Sequence, residues 1–233
     1  MSAGRQFVLP LPHGLSFARE DFLAAPSNAA ALALIESWPD WPAPLMLLSG
    51  PEGAGKSHLA AIFAARTGGV LIEGARLGAL DPEAATSAPA LALDDAEAGL
   101  GAGLGAGLGA EAIFFHLLNF ARARGVAILM TAKAAPSLWG VRTPDLLSRL
   151  RLAPLVEIAP PEPPLIEAAL TKMFADRQLA VEPSLIAYIA RRLDRSLGAA
   201  RTLVDALDTE ALAQGAKVTR AMAAALLSAA EPD

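Results

Sequence analysis

Apolar positions along the chain fall into two kinds of run. Short, unbroken ones stand at Leu45–Ser49 (LMLLS), Val70–Gly74 (VLIEG), Leu91–Asp95 (LALDD), Val126–Thr131 (VAILMT) and Pro154–Ala159 (PLVEIA). Runs this short and this apolar predict strands buried on both faces. Between them lie segments in which apolar residues recur at helical spacing. SNAAALALIESW predicts a helix capped by Ser27 and stopped at Trp38–Pro39. Further helices are expected from Lys56 to about Arg66, over Glu111–Gly125, and over Pro144–Leu150 with proline in its first position.

After Pro160-Pro161-Glu162-Pro163-Pro164 the strand pattern stops. The rest of the chain is helical throughout: Leu165–Gln178, Pro183–Leu193, Gly198–Gln214 and Thr219–Ala229. Strand–helix alternation succeeded by helices alone predicts an α/β domain, with a parallel five-stranded sheet flanked by helices, and then a small all-helical domain. The expected divisions are an extended N-terminal arm over 1–16, the α/β domain over 17–160 and the helical domain over 161–233. Pro10, Pro12 and Gly14 forbid a helix in the arm. AGLGAGLGAGLGA (Ala98–Ala110) repeats with a period too short for a solenoid and predicts a flexible surface loop, with a poor helix through its alanines and leucines as the alternative.

Composition removes several function classes. The chain has 233 residues, no cysteine and three histidines. Disulfides, thiolate metal sites and cysteine nucleophiles are excluded, and a structural zinc site is not expected. The hydrophobic share of 54% is inflated by alanine. No apolar stretch reaches the roughly eighteen residues of a membrane span, and the N-terminus lacks a signal-peptide pattern. A cytoplasmic protein is expected. The net charge of −5 argues against binding nucleic acid through a general positive field.

The chemistry concentrates in two places. Gly50-Pro51-Glu52-Gly53-Ala54-Gly55-Lys56-Ser57 matches G-x-x-x-x-G-K-[ST] between a predicted strand and a predicted helix. The glycines let backbone N–H groups turn inward around phosphate oxygens at a helix N-terminus. Lys56 then reaches the terminal phosphates and the Ser57 hydroxyl ligates Mg²⁺. LALDD supplies the partner acids: Asp94 to hold the metal, directly or through water, and Asp95 to orient the attacking water. ATP or ADP with Mg²⁺ is the expected cofactor. Asp95 is shorter than a glutamate, so slow intrinsic hydrolysis is expected.

These two motifs with a C-terminal helical domain resemble a P-loop AAA+ ATPase, and four further stretches resemble its DnaA branch. Phe17-x4-Phe22 followed by Ser27-Asn28 is similar to the N-terminal base box, which implies base contacts from Phe22, Leu23 and Asn28. His58, beside the phosphate loop, joins the nucleotide-binding set. Glu111-x2-Phe114-Phe115-His116-x2-Asn119 resembles the helix after the second acidic motif. Pro144-Asp145-Leu146-Leu147-Ser148-Arg149 resembles the segment carrying the arginine finger, which implies that Arg149 acts in trans. Arg201-Thr202-Leu203 resembles the sensor-2 motif, which implies that Arg201 contacts phosphate from the lid. Thr131 resembles sensor 1, but Lys133 stands where the family commonly has an acid.

Within this family the chain resembles the Hda type. Gln6-Phe7-Val8-Leu9-Pro10-Leu11 is similar to its sliding-clamp motif, with Phe7, Leu9 and Leu11 as apolar anchors, Gln6 as the polar contact and Pro10 between them. DnaA's own N-terminal and DNA-binding domains are not expected in this chain. Residues 160–233 carry eight Lys/Arg against ten Asp/Glu, so sequence-specific nucleic-acid binding by the lid is not expected either. The resemblance implies a regulator that, tethered to the DNA-loaded sliding clamp, stimulates hydrolysis of DnaA-bound ATP, itself with weak turnover and as a possible homodimer or homo-oligomer. Two alternatives stay open: a helicase-loader-like oligomeric ATPase, and an interaction module that nucleotide merely stabilises.

Overall fold

The fold is that of a computed structural model, which describes residues 17–100 and 107–230. They belong to two compact units, one spanning Phe17–Ala159 and the other running from Pro160 onward.

The first unit is built on five strands: β1 (Leu45–Ser49), β2 (Val70–Glu73), β3 (Ala90–Asp94), β4 (Ala127–Ala132) and β5 (Leu155–Glu157). They form one sheet in the order β2-β3-β4-β1-β5, with neighbouring strands parallel. Its helices are α1 (Ala29–Glu36), α2 (Lys56–Thr67), α3 (Pro82–Ala85), α4 (Gly107–Arg124) and α5 (Pro144–Arg151). All five expected strands are present, and the central three are buried because helices cover both faces.

Two apolar layers sandwich the sheet. On one face Leu47, Leu91, Leu93, Ile128 and Met130 pack against Phe114, Leu117 and Leu146 of α4 and α5. On the other, Met46, Leu48, Ala92 and Leu129 meet Ile35, Leu59 and Phe63 of α1 and α2. Period-two alternation along each strand divides its side chains between these layers. Trp41 stacks on Phe63 with centroids 4.7 Å apart, and its indole N–H donates to the Leu34 carbonyl (2.7 Å).

Several boundaries differ from expectation. Asn28, not Ser27, is the residue before α1. Asp95 lies beyond β3 in a left-handed conformation (φ 54°, ψ 52°). The repeat is not a plain surface loop where it is described. Ala96–Gly99 form a 3-10 turn, Gly99 and Leu100 are buried, and α4 begins at Gly107, inside the repeat. Residues 101–106 lie outside the described set. The short α3, capped by the Asp81 carboxylate on the N–H groups of Glu83 and Ala84, is an addition to the expected elements.

The second unit holds α6 (Pro163–Asp176), α7 (Pro183–Ala190), α8 (Leu197–Gln214) and α9 (Arg220–Ala230). Ile166, Leu170, Phe174, Ile189, Val204 and Leu207 form its core. Arg192 and Arg220 both lie against the Tyr188 ring, 4.1 and 4.2 Å from its centroid. Among the described residues no helix is long and apolar enough to cross a membrane.

Candidate functional site

The strands are parallel, so all of them finish at one edge of the sheet, where the connecting loops converge. The loop after β1 is the glycine-rich segment. Gly50 has φ 155°, and a Cβ there would lie 2.4 Å from the Ile158 carbonyl, so close approach of two backbones excludes any larger residue. Gly53 and Gly55 also carry positive φ, 72° and 97°. Gly55 stands immediately before α2, so the loop runs straight into the positive end of that helix. Lys56 folds back across the loop and donates to the carbonyls of Gly50 and Pro51, both at 2.8 Å. Ala54 is buried beneath the loop, while Pro51, Glu52 and Ser57 are exposed on it.

Partial burial pushes the Lys56 ammonium below its usual pKa, against the opposing pull of Asp94, Asp95 and Glu97. A phosphate anion would relieve that burial penalty.

The acids come from the end of β3, next but one to β1 in the sheet. Thr131 on β4, between them, is fully buried. Its hydroxyl donates to Asp94 Oδ1 (2.6 Å) and accepts from the Asp95 backbone N–H (2.9 Å). One side chain thus orients the carboxylate and fixes the turn beyond it. Gly74 makes room for that turn, since a Cβ on it would sit 2.0 Å from the Asp95 carbonyl. A carboxylate and a hydroxyl, Asp94 and Ser57, are the hard oxygen donors that Mg²⁺ takes. Among the described residues no group of three or more His, Cys, Asp or Glu could hold a metal. Mg²⁺ bound through one carboxylate and one hydroxyl draws its remaining ligands from phosphate and water.

The base-box residues lie against the same loop. Phe22 is buried, edge-on to His58 with centroids 5.2 Å apart, and its ring lies 3.5 Å from where a Gly55 Cβ would be. His58 Nε2 donates to the Ala18 carbonyl (3.0 Å). Asn28 is buried, and its amide binds its own loop: Nδ2 donates to the Leu23 carbonyl and Oδ1 accepts from the Ala25 N–H, both at 2.9 Å. Asn28 therefore shapes this segment, while Leu23 is half-exposed beside it.

Arg149 stands elsewhere. It borders a largely apolar cavity of about 330 Å³ lined by Pro44, Leu45, Val126 and Ile128, where β1 and β4 begin. A five-residue strand at about 3.3 Å per residue separates that edge from the phosphate loop by roughly 16 Å. Its guanidinium lies 4.5 Å from the Phe115 centroid, and Nη1 donates to Asn119 Oδ1 (2.5 Å).

Two residues of consequence carry no role that the sequence alone assigns. Glu111 is buried on α4 and accepts from the N–H groups of Arg142 (2.9 Å) and Thr143 (2.8 Å) and from the Thr143 hydroxyl (2.5 Å). It thereby anchors the start of α5, the helix that carries Arg149. Burial raises its carboxyl pKa, but the hydrogen bonds from Thr143 and Arg142 outweigh this and hold it below the usual range. Lys133 donates from Nζ to Glu52 of the phosphate loop (3.0 Å) and from its backbone N–H to Glu97 (2.9 Å). Arg201 is half-buried near the start of α8 in the helical unit. The clamp-motif residues Gln6, Phe7, Leu9, Pro10 and Leu11 lie outside the described residues.

No family model and no curated protein matches the chain. Solved structures do. Domain III of the replication initiation protein DnaA from Thermotoga maritima aligns with a TM-score of 0.75 at 18% identity, covering 91% of this chain and 96% of that one. AMPPCP-bound DnaA from Aquifex aeolicus aligns at 0.66 with 16% identity, over 82% of this chain and 64% of that one. The FIGL-1 AAA domain in complex with ADP gives 0.66 and 17%, over 90% and 82%. The chain has the α/β fold of an AAA+ domain, with a five-stranded parallel sheet followed by a helical C-terminal region. Within that class its fold is DnaA-like.

Proposed function

We propose that the chain binds ATP or ADP with Mg²⁺ at the 50–57 loop and acts as an Hda-type regulator of replication initiation. In this reading residues 6–11 tether it to the DNA-loaded sliding clamp. Arg149 reaches the ATP held by DnaA and stabilises charge on the transferring phosphoryl group. Lys56 and Ser57 hold phosphate and metal, Asp94 completes the metal site, Asp95 and Thr131 govern whatever cis hydrolysis occurs, and Arg201 closes on phosphate from the lid.

One observation carries the trans role. Arg149 lies at the sheet edge opposite its own phosphate loop, so within the Phe17–Ala159 unit it has no route to that loop's phosphates. An arginine finger delivered across an interface is worth ~10³–10⁵ in rate. Phe115 and Asn119 hold this one at a set angle.

The test follows labelled ATP on DnaA after adding the chain, with and without clamp loaded on DNA. Clamp-dependent conversion to ADP that vanishes in Arg149→Ala supports the regulator. Absence of conversion with folded protein removes it. The same geometry would let Arg149 serve a second copy of this chain. Turnover by the protein alone, rising with its concentration, would mark that loader-like reading instead.

A further inference from the structure

We propose that Lys133 is a phosphate-contacting residue of the nucleotide site, parked on Glu52 until a terminal phosphate replaces that carboxylate, and that it sets a preference for nucleoside triphosphate over diphosphate. The inference rests on the nucleotide-binding reading above.

Glu52 is an unusual neighbour for an anionic ligand, because it puts a carboxylate on the very loop whose N–H groups would hold phosphate. Lys133 neutralises it across 81 positions of sequence, Nζ to Oε2 at 3.0 Å. Thr131, two residues earlier, holds Asp94, and the Lys133 N–H is pinned by the Glu97 carboxylate. The base of the side chain is therefore fixed while its end stays exposed. Lys133 also lies within electrostatic reach of Lys56 and Asp95, so its charge acts on the phosphate end of the site. The hydrogen bond and charge of Glu52, with a contribution from Asp95, hold the ammonium above its ordinary pKa, and it is a cation throughout the neutral range.

A phosphate oxygen is a stronger partner for an ammonium than a solvated carboxylate, and the flexible lysine stem permits the swing. A diphosphate ends one group sooner and offers Lys133 less. Glu52 thus competes with the ligand for one cation.

The experiment titrates the full chain with AMPPCP and with ADP, each with Mg²⁺, using wild type, Lys133→Met, Lys133→Arg and Glu52→Gln. Unliganded thermal unfolding checks that each variant is folded. Lys133→Met is expected to weaken AMPPCP about tenfold and ADP less than about twofold, Lys133→Arg to keep most of the preference, and Glu52→Gln to tighten AMPPCP. An unchanged AMPPCP-to-ADP ratio in Lys133→Met overturns the inference while leaving nucleotide binding in place. No tightening in Glu52→Gln overturns the exchange with Glu52. Failure of the wild-type chain to bind either nucleotide overturns the underlying reading, and the inference with it.

Discussion

The Thr131 hydroxyl bridges Asp94 and Asp95, donating to the carboxylate of the first and accepting from the backbone of the second. It links β4 to the end of β3 at the sheet edge where the phosphate loop begins. Thr131→Val keeps the shape and removes both bonds, leaving a part-buried N–H and a carboxylate short of partners. Such losses cost about 1–3 kcal/mol, equivalent to a fall in Tm of roughly 2–12 °C for a chain of this size. Calorimetry of the unliganded protein measures it, and Mg²⁺-dependent nucleotide affinity should fall in the same variant.

Gly74 supports the same turn from the side. Alanine there would drive its Cβ to 2.0 Å from the Asp95 carbonyl, a backbone atom that cannot rotate away. Gly74→Ala is expected to displace Asp95 and weaken whatever turnover the protein has, with nucleotide affinity less affected because the 50–57 loop is untouched. Equal turnover in the two proteins would argue against this constraint.

Glu111 predicts a pH effect. Its carboxyl is held below the usual range, so the stabilisation is complete above the unfolded value of about 4.3 and is lost as pH falls through the lower folded value. Unfolding of wild type and Glu111→Gln followed across this range should converge at low pH and separate above it. At neutral pH, Glu111→Ala should cost about 2–4 kcal/mol, since it leaves the donors of Arg142 and Thr143 unpaired.

Asn119 positions Arg149 through its amide oxygen. On the proposed regulatory reading, Asn119→Ala is expected to lower stimulation of DnaA-bound ATP hydrolysis partially and Arg149→Ala to abolish it, with nucleotide affinity retained in both. Single-turnover hydrolysis on DnaA separates the two cases.

The sheet is legible in the sequence because its strands are short apolar runs bounded by turn formers, and the phosphate loop because its spacing is local. The same locality explains the gaps. Nothing near Glu111 in sequence reveals that Thr143 meets it, and nothing near Lys133 announces Glu52. The hydrogen bonds of the Asn28 amide to Leu23 and Ala25 are likewise not announced by the resemblance that names it. The repeat reads as unstructured because glycine disfavours helix, yet α4 takes in Gly107 and Gly109, and Ala110 is buried. Packing of a longer helix overrides local propensity there. Pro82 after Asp81 does carry a helix-start signal, but a weak one beside the stronger apolar runs.

The separation of Arg149 from the phosphate loop gives the α/β unit a front and a back. Any contact that brings the arginine of one molecule to the loop of another is head-to-tail, and a two-fold pair cannot satisfy it on both sides at once unless each molecule uses a second surface. One such contact therefore leaves an arginine spare at one end and a loop spare at the other. Assembly through it is directional, and its length is set by whichever component lacks one of the two ends.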